Sequence, residues 1–312
     1  MMPSHATKSE PQAASAVFVV RPTAFASNPQ TLASNAFQNE GGKTNLNLRA
    51  RSECDAVTTA LTDAGVRVHV FEGRIERDCP DEIFPNNWIS FHADGTVVLY
   101  PLLAPNRRRE RRRDMLDTLT GEHRYRLSRT IDLTSHEADG RYLEGTGSLV
   151  LDRPSRVAYL CRSPRSNERV LVDFAAQLGY QTVVFDAADR AGSAIYHTNV
   201  VMSLGTQFAV VCFDAMPAAD RERVAGNVMQ SGRKIVDIDL DQLDSFAANL
   251  LELDGRDGPV IALSTRALDA FDSAQRRILE SFGHLVPVAI PTIERYGGGS
   301  VRCMLAEVFP DC

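Results

Sequence analysis

The feature that most constrains this chain is one connection, repeated: an amphipathic helix stops at a glycine and hands over to a short β-branched strand. Glycine suits that stop because it reaches left-handed backbone angles without a Cβ penalty. The first copy runs from Ala60 to Gly65 and into 66–71; the second ends at Gly121 before 123–127. The third, fourth and fifth end at Gly179, Gly232 and Gly283, before 180–185, 234–238 and 284–288. Positions 65, 121, 179, 232 and 283 differ by 56, 58, 53 and 51, a near-constant spacing. Self-similarity at a fixed period marks a repeated supersecondary unit. Further strand candidates lie at 17–20, 96–100, 148–151, 208–212 and 260–263. Each unit then holds strands plus one helix, and five units close radially into a propeller-like ring. The alternative is an ordinary α/β protein, where helix–glycine–strand is a common connection. The poorly patterned second copy keeps that alternative open.

A chain of 312 residues suffices for one large domain or two ordinary ones. No Pro-, Gly- or Ser-rich linker divides it, so 17–312 is expected to form one α/β domain. Residues 1–16 are small and polar, without a signal-peptide core, and are expected to be a disordered leader. No apolar run approaches the ~20 residues of a membrane helix, so a soluble cytoplasmic protein without membrane contact is expected. The net charge of −6 argues against nucleic acid as a partner. Cysteines stand at 54, 79, 161, 212, 303 and 312 with no C-x-x-C pair, which fits reduced thiols rather than a disulfide framework or a zinc ribbon.

Three residues stand out as carriers of chemistry. Cys303 closes the run Gly297-Gly298-Gly299-Ser300-Val301-Arg302-Cys303, where backbone must bend tightly or meet a ligand. A thiolate is the reactive form of cysteine, and a neighbouring cation such as Arg302 or a protonated histidine helps to generate it. Buried, inert cysteine is the general rule, and Cys161 and Cys212, which end expected strands, fit that rule better. His197, in Tyr196-His197-Thr198-Asn199, leads into an expected strand at 200–202, a usual place for a general acid/base. A hydrogen-bonded histidine at the core's edge is an equal alternative. Glu144 precedes Gly145-Thr146-Gly147, which lets backbone approach a ligand, although most glutamates in loops are simply solvated. The arginines of 107–113 read first as the solvated start of a helix, with one or two free to turn inward onto a carboxylate.

Glutamate, histidine and a C-terminal cysteine behind a glycine-rich loop, in that order on a fivefold repeat, resemble the guanidino-group modifying enzymes of the amidinotransferase superfamily. The resemblance runs from about Val17 to Phe309. Its narrower motifs look like the citrulline-utilisation hydrolase branch: Asn35-Ala36-Phe37-Gln38, Phe84-Pro85-Asn86-Asn87-Trp88, Ala104-Pro105-Asn106-Arg107-Arg108, the Glu144 and His197 segments, and the Cys303 loop. It implies a five-bladed α/β propeller (pentein), no metal or organic cofactor, and a free amino acid as substrate, with assembly into homo-oligomers left open. It implies Cys303 as nucleophile, His197 as acid/base and Glu144 as the carboxylate holding the substrate's nitrogens. Phe84, Asn87 and Asn199 would line the substrate. Arg165 and one of Arg107–Arg109, with Arg107 the first candidate, would hold its α-carboxylate.

Arginine deiminases of this superfamily carry aspartates where this chain has Asn87 and Asn199. An asparagine offers a neutral donor as well as an acceptor, which suits a ureido carbonyl better than a guanidinium. The expectation is therefore hydrolysis of citrulline through a Cys303 carbamoyl thioester, giving ornithine, carbon dioxide and ammonia. The alternatives are an arginine or methylarginine deiminase or dihydrolase, and a non-catalytic propeller that binds a partner surface.

Overall fold

The computed structural model describes residues 10–41 and 45–309. Among these, the strands form five three-stranded sheets. Strand 96–99 (Thr96–Leu99) pairs antiparallel with Ile89–Phe91 and parallel with Arg129–Asp132. The same arrangement holds for Val157–Cys161 between Leu149–Asp152 and Gln181–Phe185, and for Phe208–Val211 between Met202–Leu204 and Lys234–Asp237. It recurs for Gly258–Ser264 between Leu251–Gly255 and His284–Val288. The remaining sheet joins the chain's two ends: Ala16–Arg21 pairs parallel with Arg67–Glu72 and antiparallel with Ala306–Val308. Parallel pairs need a crossover. The helices Leu46–Asp63, Arg113–Gly121, Glu168–Leu178, Ala218–Gln230 and Ser273–Glu280 supply one per sheet. The molecule is a five-bladed α/β propeller, closed by strand 306–308.

The third helix shows how the sequence builds a blade. Asn167 caps its start, accepting from the Arg169 amide at 3.0 Å. Val170, Leu171, Phe174, Ala175 and Leu178 recur on one face and are buried against Tyr100, Leu160 and Tyr180. Gly179 ends it at φ 73° and donates to Ala175 O at 2.8 Å. Burying each large apolar side chain contributes about 1.5–3 kcal/mol.

Three expectations need correction. The second copy's strand is Arg129–Asp132, not 123–127. After the helix, Tyr125 is drawn into the core, its hydroxyl 2.8 Å from His69 Nε2, and only beyond Ser128 does the chain reach register with Thr96–Leu99. Residues 198–201 form a helical turn, and the strand begins at Met202. The leader assignment fails for 10–16: Glu10 is buried and ion-paired to Arg153 at 2.9 Å, Gln12 bonds Leu151 O, and Ala16 opens a strand. Residues 1–9 lie outside the described residues. No helix among the described residues is long and apolar enough to cross a membrane.

Candidate active site

Each blade's inner strand is entered through a short turn, and these turns meet on one side of the ring's axis. The turn Pro85–Asn87 leads to strand 89–91, Gly145–Ser148 to 149–152, Thr198–Val201 to 202–204 and Val301–Met304 to 306–308. The fifth strand, 251–255, is entered through Phe246–Leu250. Asn87, Glu144, His197, Asn199, Asn249 and Cys303 therefore come together from five segments distant in sequence, and all are buried.

His197 Nε2 lies 2.9 Å from Glu144 Oε2, and both side chains are almost fully buried. Burial pushes the imidazole's basicity down to about 4, against the opposing pull of Glu144, with Arg165 and Arg107 adding to the fall. Burial alone would raise the Glu144 carboxyl. Arg165, the His197 hydrogen bond and Arg107 outweigh it and hold the group well below the usual carboxylate range. Near neutral pH the pair is thus a carboxylate accepting from a neutral imidazole, with Nε2 carrying the proton and Nδ1 left as a base. Glu144 Oε1 is fixed by the Leu103 amide at 3.1 Å.

Cys303 Sγ receives Asn249 Nδ2 at 3.3 Å and Asn199 Nδ2 at 3.5 Å. The triple glycine before it is explained by close contacts. Gly298, at φ 67°, caps the helix Pro291–Gly297 and offers its carbonyl to Tyr196 Oη and to Asn35 Nδ2. A Cβ at Gly297 would lie 2.8 Å from the Phe84 ring.

Both expected arginines turn inward. Arg107 is 2 % exposed; its Nε and Nη2 each meet Glu110 at 2.9 Å and its Nη1 meets Asn87 Oδ1 at 2.8 Å. Of the run 107–113, Arg112 is buried as well, bonded to Glu72 O, so the solvated reading fails for these two. Arg165 bonds Ser34 Oγ at 2.8 Å, Thr31 O at 3.2 Å and Glu144 Oε2 at 3.4 Å, and stands 5.0 Å over the Tyr196 ring. Phe84 lines the same cavity as Thr31, Asp81, Arg107, Arg165, His197 and Cys303. The cavity is narrow, with room for roughly one water between these side chains.

All six motifs that carried the resemblance contribute a side chain named above; in the arginine motif that side chain is Arg107, while Asn106 bonds Asn28. Sequence reasoning missed Asp81, Glu110 and Asn249. Asp81 Oδ2 is held by Asn28 at 2.7 Å, while its Oδ1 has no partner. Burial raises both Asp81 and Glu110, and Arg107 pulls both back. Asn249 had a usable signal: it stands two residues before an inner strand, as Asn87 does. The other unpartnered buried atoms here are Asn199 Oδ1 and Asn86 Nδ2; neither residue is in the cavity lining, so Asn199 meets the sulfur rather than the expected substrate space. No group of three or more His, Cys, Asp or Glu among the described residues could hold a metal ion.

A family model described as N,N dimethylarginine dimethylhydrolase, eukaryotic, matches residues 21–310. A search of curated proteins finds no match. Among solved structures, the N-terminal domain of ArgZ, an arginine dihydrolase from the ornithine–ammonia cycle in cyanobacteria, aligns with TM-score 0.73 and 15% identity over 95% of this chain and 98% of that one. The chain spans only 40% of ArgZ itself. AgrE, in a ternary complex with ornithine and NAD+, aligns with TM-score 0.74 and 16% identity over 95% of this chain and 40% of that one. A dimethylarginine dimethylaminohydrolase aligns with TM-score 0.61 and 13% identity over 94% and 98%. At these identities the likeness to solved structures is one of fold.

Proposed function

Because this chain belongs to the N,N dimethylarginine dimethylhydrolase family and is a hydrolase of carbon–nitrogen bonds other than peptide bonds, we propose that it acts on the guanidino group of a free arginine or N-methylated arginine. One observation carries this substrate class over a ureido one: the unpartnered buried atom among the cavity-lining residues is an acceptor, a carboxylate oxygen of Asp81. Asn87 Nδ2 donates to Asn86 Oδ1 at 3.0 Å, and Asn199 Nδ2 is turned onto Cys303. Asp81 Oδ1 lies in the cavity lining without a partner, whereas Asn199 lies outside that lining. A guanidinium and an α-ammonium present only donors, whereas a ureido carbonyl needs a donor to meet it. The guanidino reading therefore takes the place of the expected citrulline hydrolysis.

The chemistry follows from the proton positions. Cys303 gives its proton to His197 Nδ1, and the thiolate attacks the guanidino carbon. The imidazolium, stabilised by Glu144, returns that proton to the departing nitrogen, which leaves as ammonia or a methylamine. An amidino thioether remains on Cys303. His197 then takes a proton from water, the hydroxide adds to the same carbon, and the sulfur departs, taking back the proton. Arg165 is placed for the α-carboxylate; Arg107, already saturated by Glu110 and Asn87, braces the site wall.

A second reading, citrulline hydrolysis to ornithine, is favoured by the neutrality of Asn87 and Asn199 and by the sharing of Glu144 among His197, Arg107 and Arg165. The test offers purified protein arginine, methylated arginines and citrulline, and measures citrulline, ornithine and released amine. Ornithine from citrulline with no turnover of any guanidino substrate would replace the first reading by the second. Cys303→Ala is expected to abolish turnover with the circular dichroism spectrum unchanged.

A further inference from the structure

The fifth blade gives the site one buried polar side chain, and that side chain touches the sulfur. Asn249 is 0 % exposed. Its Nδ2 lies 3.3 Å from Cys303 Sγ and 2.9 Å from Asn199 O, and its Oδ1 is 3.6 Å from the same sulfur. Both amide hydrogens are therefore committed: one to the sulfur, the other to the backbone of the turn that carries Asn199. That second bond sets the amide's rotation and keeps the first donor on the sulfur.

The ring explains why an asparagine stands there. Asn87, Gly147 and Asn249 each lie two residues before their inner strand, and Asn199 and Cys303 lie three before theirs. Five turns thus bring Asn, Gly, Asn, Asn and Cys to comparable places around the axis. Gly147 is bare by necessity, since a Cβ there would stand 2.5 Å from Asn87 Nδ2 and 2.6 Å from His197 Nδ1. Asn87 is turned toward Arg107, which leaves Asn199 and Asn249 to face the sulfur. In the turn 246–250 the neighbours Phe246, Ala247, Ala248 and Leu250 are buried and apolar, so only residue 249 has a polar group to offer.

We propose that Asn249, together with Asn199, forms a two-amide cradle for the Cys303 sulfur, and that Asn249 is the donor that holds the sulfur anion in place for attack. The proposal rests on the reading of Cys303 as nucleophile. Two N–H groups replace water around an anion that burial would otherwise penalise. They act again when the sulfur leaves the carbon in the second half of the reaction. Because Asn249 touches the sulfur and lies outside the lining of the substrate cavity, its loss should appear in kcat and not in KM.

The test compares the parent with Asn249→Asp, which keeps the volume and replaces the donor by an anion, with Asn249→Ala, and with Cys303→Ala. Each is assayed for kcat and KM on the best guanidino substrate. Each is also assayed for the rate at which iodoacetamide alkylates Cys303, followed by peptide mass mapping so that the other thiols do not interfere. Removing one donor to a reacting anion lowers kcat about 10²- to 10³-fold in well-ordered sites; a drop of at least ~10-fold in both kcat and alkylation rate is expected for Asn249→Asp, with KM within ~3-fold of the parent. Product binding, read by calorimetry on each variant, reports that the site is still assembled. Parent-like alkylation and kcat in both Asn249 variants, with Cys303→Ala inactive, overturns the cradle alone. Turnover that survives in Cys303→Ala overturns the nucleophile and the cradle with it.

Discussion

Gly147→Ala isolates geometry from chemistry, because it adds one methyl group and removes nothing. Gly147 does not occupy a left-handed backbone angle, so alanine is free to adopt its conformation. The conflict is steric: the new Cβ would stand 2.5 Å from Asn87 Nδ2, 2.6 Å from His197 Nδ1 and 2.7 Å from His197 Cε1. Ordinary contact begins near ~3.5 Å, so a shortfall of about 1 Å must be absorbed. Neither neighbour yields easily. Asn87 is pinned between Arg107 at 2.8 Å and Asn86 at 3.0 Å, and His197 is held by Glu144 at 2.9 Å. Overpacking of this kind costs about 1–3 kcal/mol of stability. A displacement of ~1 Å in a reacting group lowers the rate about 10²-fold. The assay is kcat/KM on a guanidino substrate alongside thermal unfolding. Gly121→Ala serves as the control, since a Cβ there meets nothing within 4 Å. A Gly147→Ala enzyme within ~3-fold of the parent would refute the claim that His197 and Asn87 are rigidly placed.

Two further outcomes follow from the electrostatics of the site. His197 is held near 4, below its ordinary 6.5, so the unfolded chain takes up a proton that the folded chain resists, and stability should fall as pH drops from 6.5 to about 4; the depressed Glu144 works in the same direction at the acid end. Urea unfolding across that window should give a shallower slope for His197→Asn, and an unchanged slope would contradict a neutral buried histidine. Arg165→Lys exchanges a fork that meets Ser34, Thr31 and Glu144 for a single ammonium and removes the guanidinium above Tyr196. Loss of one charge-assisted contact to substrate should raise KM about 10- to 100-fold; initial-rate kinetics showing KM within ~2-fold would place the substrate carboxylate elsewhere.

Much of the architecture was legible along the chain. The glycine spacing reported five helices ending at similar intervals because the same unit is built five times, and a helix C-terminus has the same local need each time it recurs. Cys303, His197 and Glu144 stood out for a related reason: each sits in a turn whose composition is set by close backbone approach, and glycine or a small polar residue leaves a trace in sequence. Where local propensity conflicted with ring geometry, the reading slipped. Residues 123–127 alternate polar residues with Tyr125 and Leu127 directly after the helix's glycine, yet the strand that fits beside Thr96–Leu99 is Arg129–Asp132. Glu10 is polar and near the N-terminus, yet it is buried against Arg153, and the half-buried Gln12 is held by the carbonyls of two inner strands.

What sequence alone determined was the inventory: five units, one cysteine in a glycine-bound turn, and a histidine and a glutamate in corresponding turns. Tertiary structure decided how each amide is turned and which charges neutralise one another. An asparagine carries a donor and an acceptor on one rotatable group, so only its neighbours choose between them: Asn86 and Arg107 orient Asn87, and Cys303 takes the donor of Asn199. Those orientations put an amide hydrogen of Asn87 on Asn86 and one of Asn199 on the sulfur, and they leave Asp81 Oδ1 as the unpartnered atom of the cavity lining. Asn249, Asp81 and Glu110 enter the site the same way, as ordinary polar residues that ring closure brings to the cysteine, the cavity and the buried arginine.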